Sequence, residues 1–393
     1  MRLAYVVQRY GPQIRGGAEA HCRDFATRVA ARGHNVEVFT TCANDYRTWR
    51  NELPAGRSED EGVLVTRFPV VAERPADFDV LCDEVLSRPS QASMDLQEHW
   101  MRVQGPEAPE LVEALRSSGD FDLVVFVTYL YYTTYFGLSA AKGRAVLHPT
   151  AHDEAPIYLS MFEEMFALPE ALVFLTEEER EFVRHRFELD GMPDLVSGIG
   201  IEAPDEAEPE RARKRLGVDG PFALYVGRLD PQKGIDELCS FFSTYRERRG
   251  PPIDLVLAGD VVSEVPDTEG ISVVGPLTDQ EKWDALAAAS VLVHPSRHES
   301  FALILLEAWT AGTPAIVSGF CDVTVGHSRR ANGGLWYRTY AEFEACMDRV
   351  LADESLASAL GSQGRRYVES NYDWDVVIDR YLMFLEQVRA RRP

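Results

Sequence analysis

Leu3-Ala4-Tyr5-Val6-Val7, with Gly16-Gly17-Ala18-Glu19 behind it, is the stretch that decides the fold. The first run is short, apolar, β-branched and aromatic, which reads as a strand. A loop containing Gly and Pro follows. From Ala18 the residues Ala18, Cys22, Phe25, Ala26, Val29 and Ala30 return to one helical face. Gly33 stands where a helix C-cap belongs. A second apolar run at 36–40 completes a strand–loop–helix–strand unit, the building block of a parallel sheet.

The same rhythm continues outward. Further strands are expected at 63–68, 123–127, 145–147, 172–175 and 195–196, with a helix at 177–187. Residues 73–118 are polar, helix-leaning and interrupted by Pro75, Pro89, Pro106 and Pro109. An acidic, Pro-containing stretch at 202–210 reads as a linker. Strands then resume at 222–226, 255–258, 271–274, 291–294 and 315–317, alternating with helices at 236–248, 279–289 and 300–310. The expectation is an α/β chain of two doubly wound, Rossmann-like domains, 1–201 and 202–372, facing a central cleft. Ligands of such sheets sit beyond the carboxyl ends of the strands, where the Gly17 and Arg228 loops are both expected.

Bulk composition agrees. A chain of 393 residues exceeds one ordinary core, and 45% hydrophobic with 26% charged residues is globular. A net charge of −23 repels nucleic acid and gives no general attraction to anionic lipid, so an anionic ligand needs a local basic site. Only Lys142, Lys214, Lys233 and Lys282 among the 40 basic residues are lysines, which draws notice to a Lys inside a motif. The six cysteines are scattered, without C-x-x-C or zinc-like spacing, and several sit in apolar patterns that read as buried free thiols, which favours a reducing compartment. The N-terminal apolar run is too short for a signal peptide, and no stretch approaches a membrane span. The expected location is cytoplasmic.

Three segments carry candidate chemistry. Gly16-Gly17 precedes a helix, where bare backbone and free N–H groups suit phosphate; a tight turn that merely needs Gly is an equal reading. In Gly227-Arg228-Leu229-Asp230-Pro231-Gln232-Lys233-Gly234, Arg228 offers a planar fork and Lys233 a mobile point charge. Two such cations can balance a leaving diphosphate without metal; the plainer reading is a solvated turn. In Glu299-Ser300-Phe301-Ala302-Leu303, Glu299 stands at the mouth of the helix expected from Ser300, with Glu307 two turns along it. Carboxylates accept from sugar hydroxyls, and the N–H groups of Ser300, Phe301 and Ala302 are expected as unpaired first-turn donors. Glu307 falls among Leu305, Leu306, Ala308 and Trp309, where a carboxylate needs a partner. His152-Asp153-Glu154 follows a strand; His152 reads equally as a proton-handling or a structural residue, and the acids do not demand metal. His294 and His298 read as structural, and the cluster Tyr129, Tyr131, Tyr132, Tyr135 and Phe136 as core, with a cleft wall for a sugar as the alternative.

These pieces, with Gly198-Ile199-Gly200-Ile201, Leu257-Ala258-Gly259 and Gly312-Thr313-Pro314, make the chain resemble family-4 retaining glycosyltransferases of GT-B fold over nearly its whole length. The resemblance implies that Arg228 and Lys233 bind the donor diphosphate, Glu299 the donor sugar and Glu307 the ribose. It implies that the backbone of Ser300, Phe301, Ala302 and Leu303, with Gly227, meets sugar and phosphate, that the Gly16–Gly17 loop closes over the donor, and that His152 lies by donor sugar and acceptor. It also implies a last helix within 373–393 that crosses back to the first domain. Transfer would be metal-independent, with no cofactor beyond a nucleoside-diphosphate sugar as substrate. The acceptor would be a hydroxyl of a glycan, a lipid-linked species or a natural product, with peripheral membrane contact an open option. Where the family often has Glu-Gly-Phe-Gly, this chain has Glu299-Ser300-Phe301-Ala302, whose added Cβ atoms bear on which sugar is taken. A nucleotide-sugar isomerase and a non-catalytic nucleotide-sugar-binding subunit are the alternative readings.

Overall fold

The computed structural model describes residues 1–14, 16–250, 253–263, 265 and 267–391. The end of the expected crossing helix, Arg392 and Pro393, lies outside the described residues. The chain divides into two compact units, Met1–Gly198 with Ile378–Pro393, and Ile199–Val377.

Among the described residues the first unit is built on eight strands: β1 (Arg2–Val6), β2 (Asn35–Thr41), β3 (Gly56–Asp60), β4 (Val63–Phe68), β5 (Leu123–Val127), β6 (Ala145–His148), β7 (Ala171–Phe174) and β8 (Asp194–Val196). They run in the order β3-β4-β2-β1-β5-β6-β7-β8. Every pairing is parallel except β3 with β4. The strand order reverses at β1, between β2 and β5. The α-helices between these strands are α1 (Gly17–Ala31), α2 (Phe78–Leu86), α3 (Met94–Gln104), α4 (Pro109–Ser117), α5 (Tyr132–Ala140), α6 (Met161–Phe166) and α7 (Glu177–Arg186). Cys22, Phe25, Ala26 and Val29 of α1 are fully buried, as the spacing predicts, and Gly33 beyond its end has φ 83°. Central strands such as β1 and β5 are apolar on both faces because helices cover both.

Strand β3 is a feature the sequence reading lacks. Its residues Gly56-Arg57-Ser58-Glu59-Asp60 are polar and mostly exposed, so no apolar alternation marks them. A hairpin through Glu61 (φ 48°) and Gly62 (φ 79°) pairs it with β4. A charged edge strand of this kind resists pairing with other chains. From the cluster expected as core, Tyr129 and Tyr132 are buried, while Tyr131, Tyr135 and Phe136 are half-buried and pack against buried apolar residues.

The segment from Ile378 is tied in by a buried polar chain. Tyr5 donates to the Tyr381 hydroxyl at 3.1 Å, Tyr381 lies 3.2 Å from His148 Nε2, and His148 Nδ1 lies 2.9 Å from His21 Nε2. Burial holds His21 down to about 3, so this imidazole is neutral in the fold.

The second unit holds β9 (Phe222–Val226), β10 (Asp254–Ala258), β11 (Ile271–Gly275), β12 (Val291–His294), β13 (Ala315–Ser318) and β14 (Gly334–Tyr337), all parallel, in the order β11-β10-β9-β12-β13-β14. Its helices are α8 (Pro209–Leu216), α9 (Ile235–Arg249), α10 (Asp279–Ala288), α11 (Leu303–Ala311), α12 (Asp322–Ala331), α13 (Tyr340–Ala352) and α14 (Glu354–Asn371). Helix α15 (Trp374–Ala390) starts in this unit and runs into the first. The acidic linker ends sooner than expected, because Pro209 opens α8 and suits a first helical turn. β14 also escapes the sequence reading; it is four residues long and follows Asn332 in a left-handed turn (φ 48°). Among the described residues no helix is long and apolar enough to cross a membrane. All six cysteines are free.

Candidate active site

In the second unit the strand order reverses between β9 and β12, the position at which such sheets take ligands beyond their strand ends. Both motif segments of this unit begin there. After β9, Gly227 (φ 156°) leads to Arg228, whose carbonyl accepts from the Tyr225 hydroxyl at 2.8 Å. The Arg228 side chain is exposed and makes no hydrogen bond or ion pair among the described residues. Asp230 caps the turn Pro231–Lys233 by accepting from Gln232 N–H at 2.9 Å. Gly234 then adopts φ 80°, and a Cβ there would stand 2.8 Å from the Pro295 carbonyl oxygen. The absent side chain lets the β9 loop lie against the β12 loop.

That approach joins Lys233 to Glu299. Lys233 Nζ donates to Glu299 Oε1 at 2.8 Å, and His294 Nε2 lies 3.2 Å from the same oxygen. Lys233 retains 27% and Glu299 16% side-chain exposure, so the pair is shielded but reachable. Burial works against the Glu299 charge, yet His294 and Lys233 outweigh it and hold the carboxyl well below its usual range. Oε2 of Glu299 accepts no hydrogen bond among the described residues. His294, which the sequence presents as structural, lies beside this candidate carboxylate; its place at the last position of β12 was the available signal.

The helix expected from Ser300 begins at Leu303 instead. Ala302 takes φ 62° and ψ 56°, left-handed values incompatible with a right-handed turn, so Ser300, Phe301 and Ala302 form a loop ahead of the helix. The first-turn donors are consequently those of Leu303 and its successors. Phe301 is buried and meets His327 and Tyr372 edge-on, with 5.4 Å between ring centroids in each case. This anchored ring fixes the backbone of the loop. Glu307 lies just over one turn into α11, and its Oε1 accepts from Lys282 Nζ of α10 at 2.6 Å. Lys282 is the second site member that sequence reasoning missed; its signal was scarcity, as one of four lysines.

In the first unit the Gly16–Gly17 loop follows β1 at that sheet's own reversal point. A Cβ on Gly16 would stand 1.9 Å from Glu19 Oε2, while a Cβ on Gly17 would meet nothing within 4 Å. Glu19 is buried and accepts from Arg9 Nε at 2.8 Å. Gly16 thus has a packing reason, whereas Gly17 presents open backbone. His152 is half-buried, with Nε2 3.4 Å from Glu154 Oε2, and Glu154 also accepts from the Tyr129 hydroxyl at 2.8 Å. Asp153 accepts instead from Tyr158, also at 2.8 Å. The loop behind His152 is fastened by Glu179, which accepts from the N–H groups of Ala151 and Leu175 at 2.7 Å each. Among the described residues no three His, Cys, Asp or Glu side chains cluster as metal ligands.

The family profile described as "Glycosyl transferases group 1" matches residues 206–367. A D-inositol 3-phosphate glycosyltransferase of Streptomyces bingchenggensis is 32% identical over 405 residues, covering 92% of this chain and 82% of that protein. Among solved structures, sucrose-phosphate synthase from Thermosynechococcus elongatus superposes with TM-score 0.72 at 19% identity, over 99% of both chains. Anabaena HepE, in complex with UDP and glucose, gives TM-score 0.70 at 15% identity, over 98% of this chain and 100% of its own.

Proposed function

Since this chain belongs to the group 1, family-4 glycosyltransferases and has the GT-B fold, we propose that it transfers a sugar from a nucleoside-diphosphate donor to an acceptor hydroxyl, with retention at the anomeric carbon and without a metal. The observation that carries this reading is the Lys233–Glu299–His294 cluster at the β9/β12 reversal point. It sets a cation and a carboxylate side by side, which suits phosphate and sugar hydroxyls on one ligand. Support for the donor class comes from HepE, whose solved complex holds UDP and glucose.

In this reading Arg228 and Lys233 bind the diphosphate and stabilise the charge that develops as it leaves. Glu299 accepts from the sugar hydroxyls and Glu307 from the ribose. Gly227 and the backbone of Ser300, Phe301, Ala302 and Leu303 meet phosphate and sugar, and the bare backbone of Gly16 and Gly17 suits a phosphate-bearing ligand. His152 handles the sugar and the acceptor. The bond from the anomeric carbon to the phosphate oxygen breaks, its electron pair leaving with the nucleoside diphosphate. The acceptor oxygen bonds to that carbon on the same face, and its proton passes to the departing phosphate.

The test is direct turnover with UDP-, GDP- and ADP-glucose and an acceptor panel headed by D-inositol 3-phosphate, the acceptor class in a relative's name. We expect one donor to be consumed, with an α-linked product from an α-linked donor and activity that survives EDTA. Inverted product, or activity abolished by EDTA, overturns the proposed mechanism. Consumption of no donor overturns the donor assignment.

A further inference from the structure

The chain carries four lysines, and two of them end on the two carboxylates of the candidate donor site. Lys233 reaches Glu299; Lys282 reaches Glu307. The second pair joins neighbouring helices α10 and α11, and it is well shielded, with 20% side-chain exposure for Lys282 and 15% for Glu307. Lys282 has another acidic neighbour, Asp279, whose carboxylate lies 3.4 Å away but is 96% exposed. A pair so open to water is screened and contributes little. The contact that defines the position of Lys282 is therefore the one to Glu307.

The geometry at Glu307 is one-sided. Oε1 receives the lysine at 2.6 Å, while Oε2 accepts no hydrogen bond among the described residues. A glutamate has three rotatable side-chain bonds, and a ligand that must order it loses affinity by doing so. With one oxygen already held by a charge-assisted bond, the carboxylate is restrained before a ligand arrives, and ordering its second oxygen costs less. A carboxylate held in this way accepts from two adjacent hydroxyls at once, the pattern that a ribose 2′,3′-diol supplies and a 2′-deoxyribose does not.

We infer that Lys282 is a positioning residue for the nucleoside end of the donor site: by holding Glu307, it makes the enzyme select ribonucleotides over 2′-deoxyribonucleotides. This rests on the donor reading above. Lys282 touches neither phosphate nor sugar in this assignment. Its effect is confined to the ribose and is separable from that of Lys233, which acts on the diphosphate.

The experiment measures dissociation constants by calorimetry for UDP, GDP and ADP, their 2′-deoxy counterparts and the matching monophosphates. The proteins are the wild type, Lys282→Met, Lys282→Arg and Lys233→Ala, each checked for folding by thermal unfolding. Wild type is expected to prefer one ribonucleoside diphosphate over its deoxy form by about ten- to a hundredfold, the range of a hydrogen bond to a charged group. In Lys282→Met that ratio should collapse to below roughly threefold, while the diphosphate-to-monophosphate ratio is kept. Lys282→Arg, which preserves the ion pair, should restore discrimination, and Lys233→Ala should lower the diphosphate preference alone. An unchanged ribo-to-deoxy ratio in folded Lys282→Met overturns the assignment of Lys282, as does a wild type that binds both forms equally. Binding of no nucleoside diphosphate by the wild type overturns the donor reading itself, and this inference with it.

Discussion

Glu299 in the second unit and Glu179 in the first are the same residue type, both drawn largely out of water, and they settle in opposite electrostatic states. Glu299 faces two cationic or proton-bearing side chains, which hold its carboxyl well below the ordinary range despite burial. Among the described residues Glu179 accepts only from backbone N–H groups, and burial pushes it up to about 8 against those bonds. Desolvation is common to the two; the charge of the partner decides between them. The difference also separates function from framework. The partners of Glu299 are side chains that a ligand can share, and the pair retains access to solvent. Those of Glu179 are fixed amides, and what they fix is the loop that leads into His152.

The largest effect that would sharpen the contrast is on catalysis. Glu299→Gln keeps shape but removes the charge, and it is expected to lower the transfer rate by about 10²–10³-fold with little change in melting temperature. Steady-state turnover with the accepted donor checks it; a rate equal to wild type would erase the distinction drawn here.

Next in size is stability at Glu179. Glu179→Ala orphans two buried N–H groups, each costing about 1–3 kcal/mol, so the first unit should lose roughly 2–6 kcal/mol. Denaturant unfolding followed by tryptophan fluorescence reports it, and loss of this size without change in the binding of nucleotide would place Glu179 in the framework.

The third expectation concerns pH. The Glu179 carboxyl has an ordinary value of 4.5 and is raised to about 8 in the fold. Its contribution is thus fully present below 4.5, and it is lost as pH rises through 8, because the unfolded chain releases a proton that the fold retains. Wild type should lose stability relative to Glu179→Gln by up to about 1.4 kcal/mol per pH unit within that window. Parallel stability curves for the two proteins between about pH 5 and 8 would break the contrast with Glu299.

The smallest effect is at Ala302. Its left-handed backbone costs about 1–2 kcal/mol relative to Gly, while deleting its buried methyl costs about 0.8 kcal/mol. Ala302→Gly should therefore stabilise the second unit slightly, by under about 1 kcal/mol, and a fall in melting temperature would contradict the strain argument.

Strongly patterned elements were legible in the sequence because burial imposes the pattern. Helix α1 shows its core face in Cys22, Phe25, Ala26 and Val29, and β5 is a continuous apolar run because both of its faces are covered. β3 was not legible, since an exposed edge strand has no face to bury. The start of α11 was misread for a different reason: Ser300, Phe301 and Ala302 have acceptable helical propensity, and only the anchoring of Phe301 between His327 and Tyr372 goes with the left-handed turn at Ala302.

By itself, the sequence determined the alternation of strands and helices, the α/β class, and which segments carry cations and carboxylates. These follow from local spacing and residue chemistry. Tertiary structure alone decided the pairings: Lys233 with Glu299 across 66 positions of chain, Lys282 with Glu307 across 25, and His294 beside Glu299 rather than in the framework. Such pairs depend on which strand ends and helices become neighbours, and that is fixed by the order β10-β9-β12, not by any property of the residues that meet.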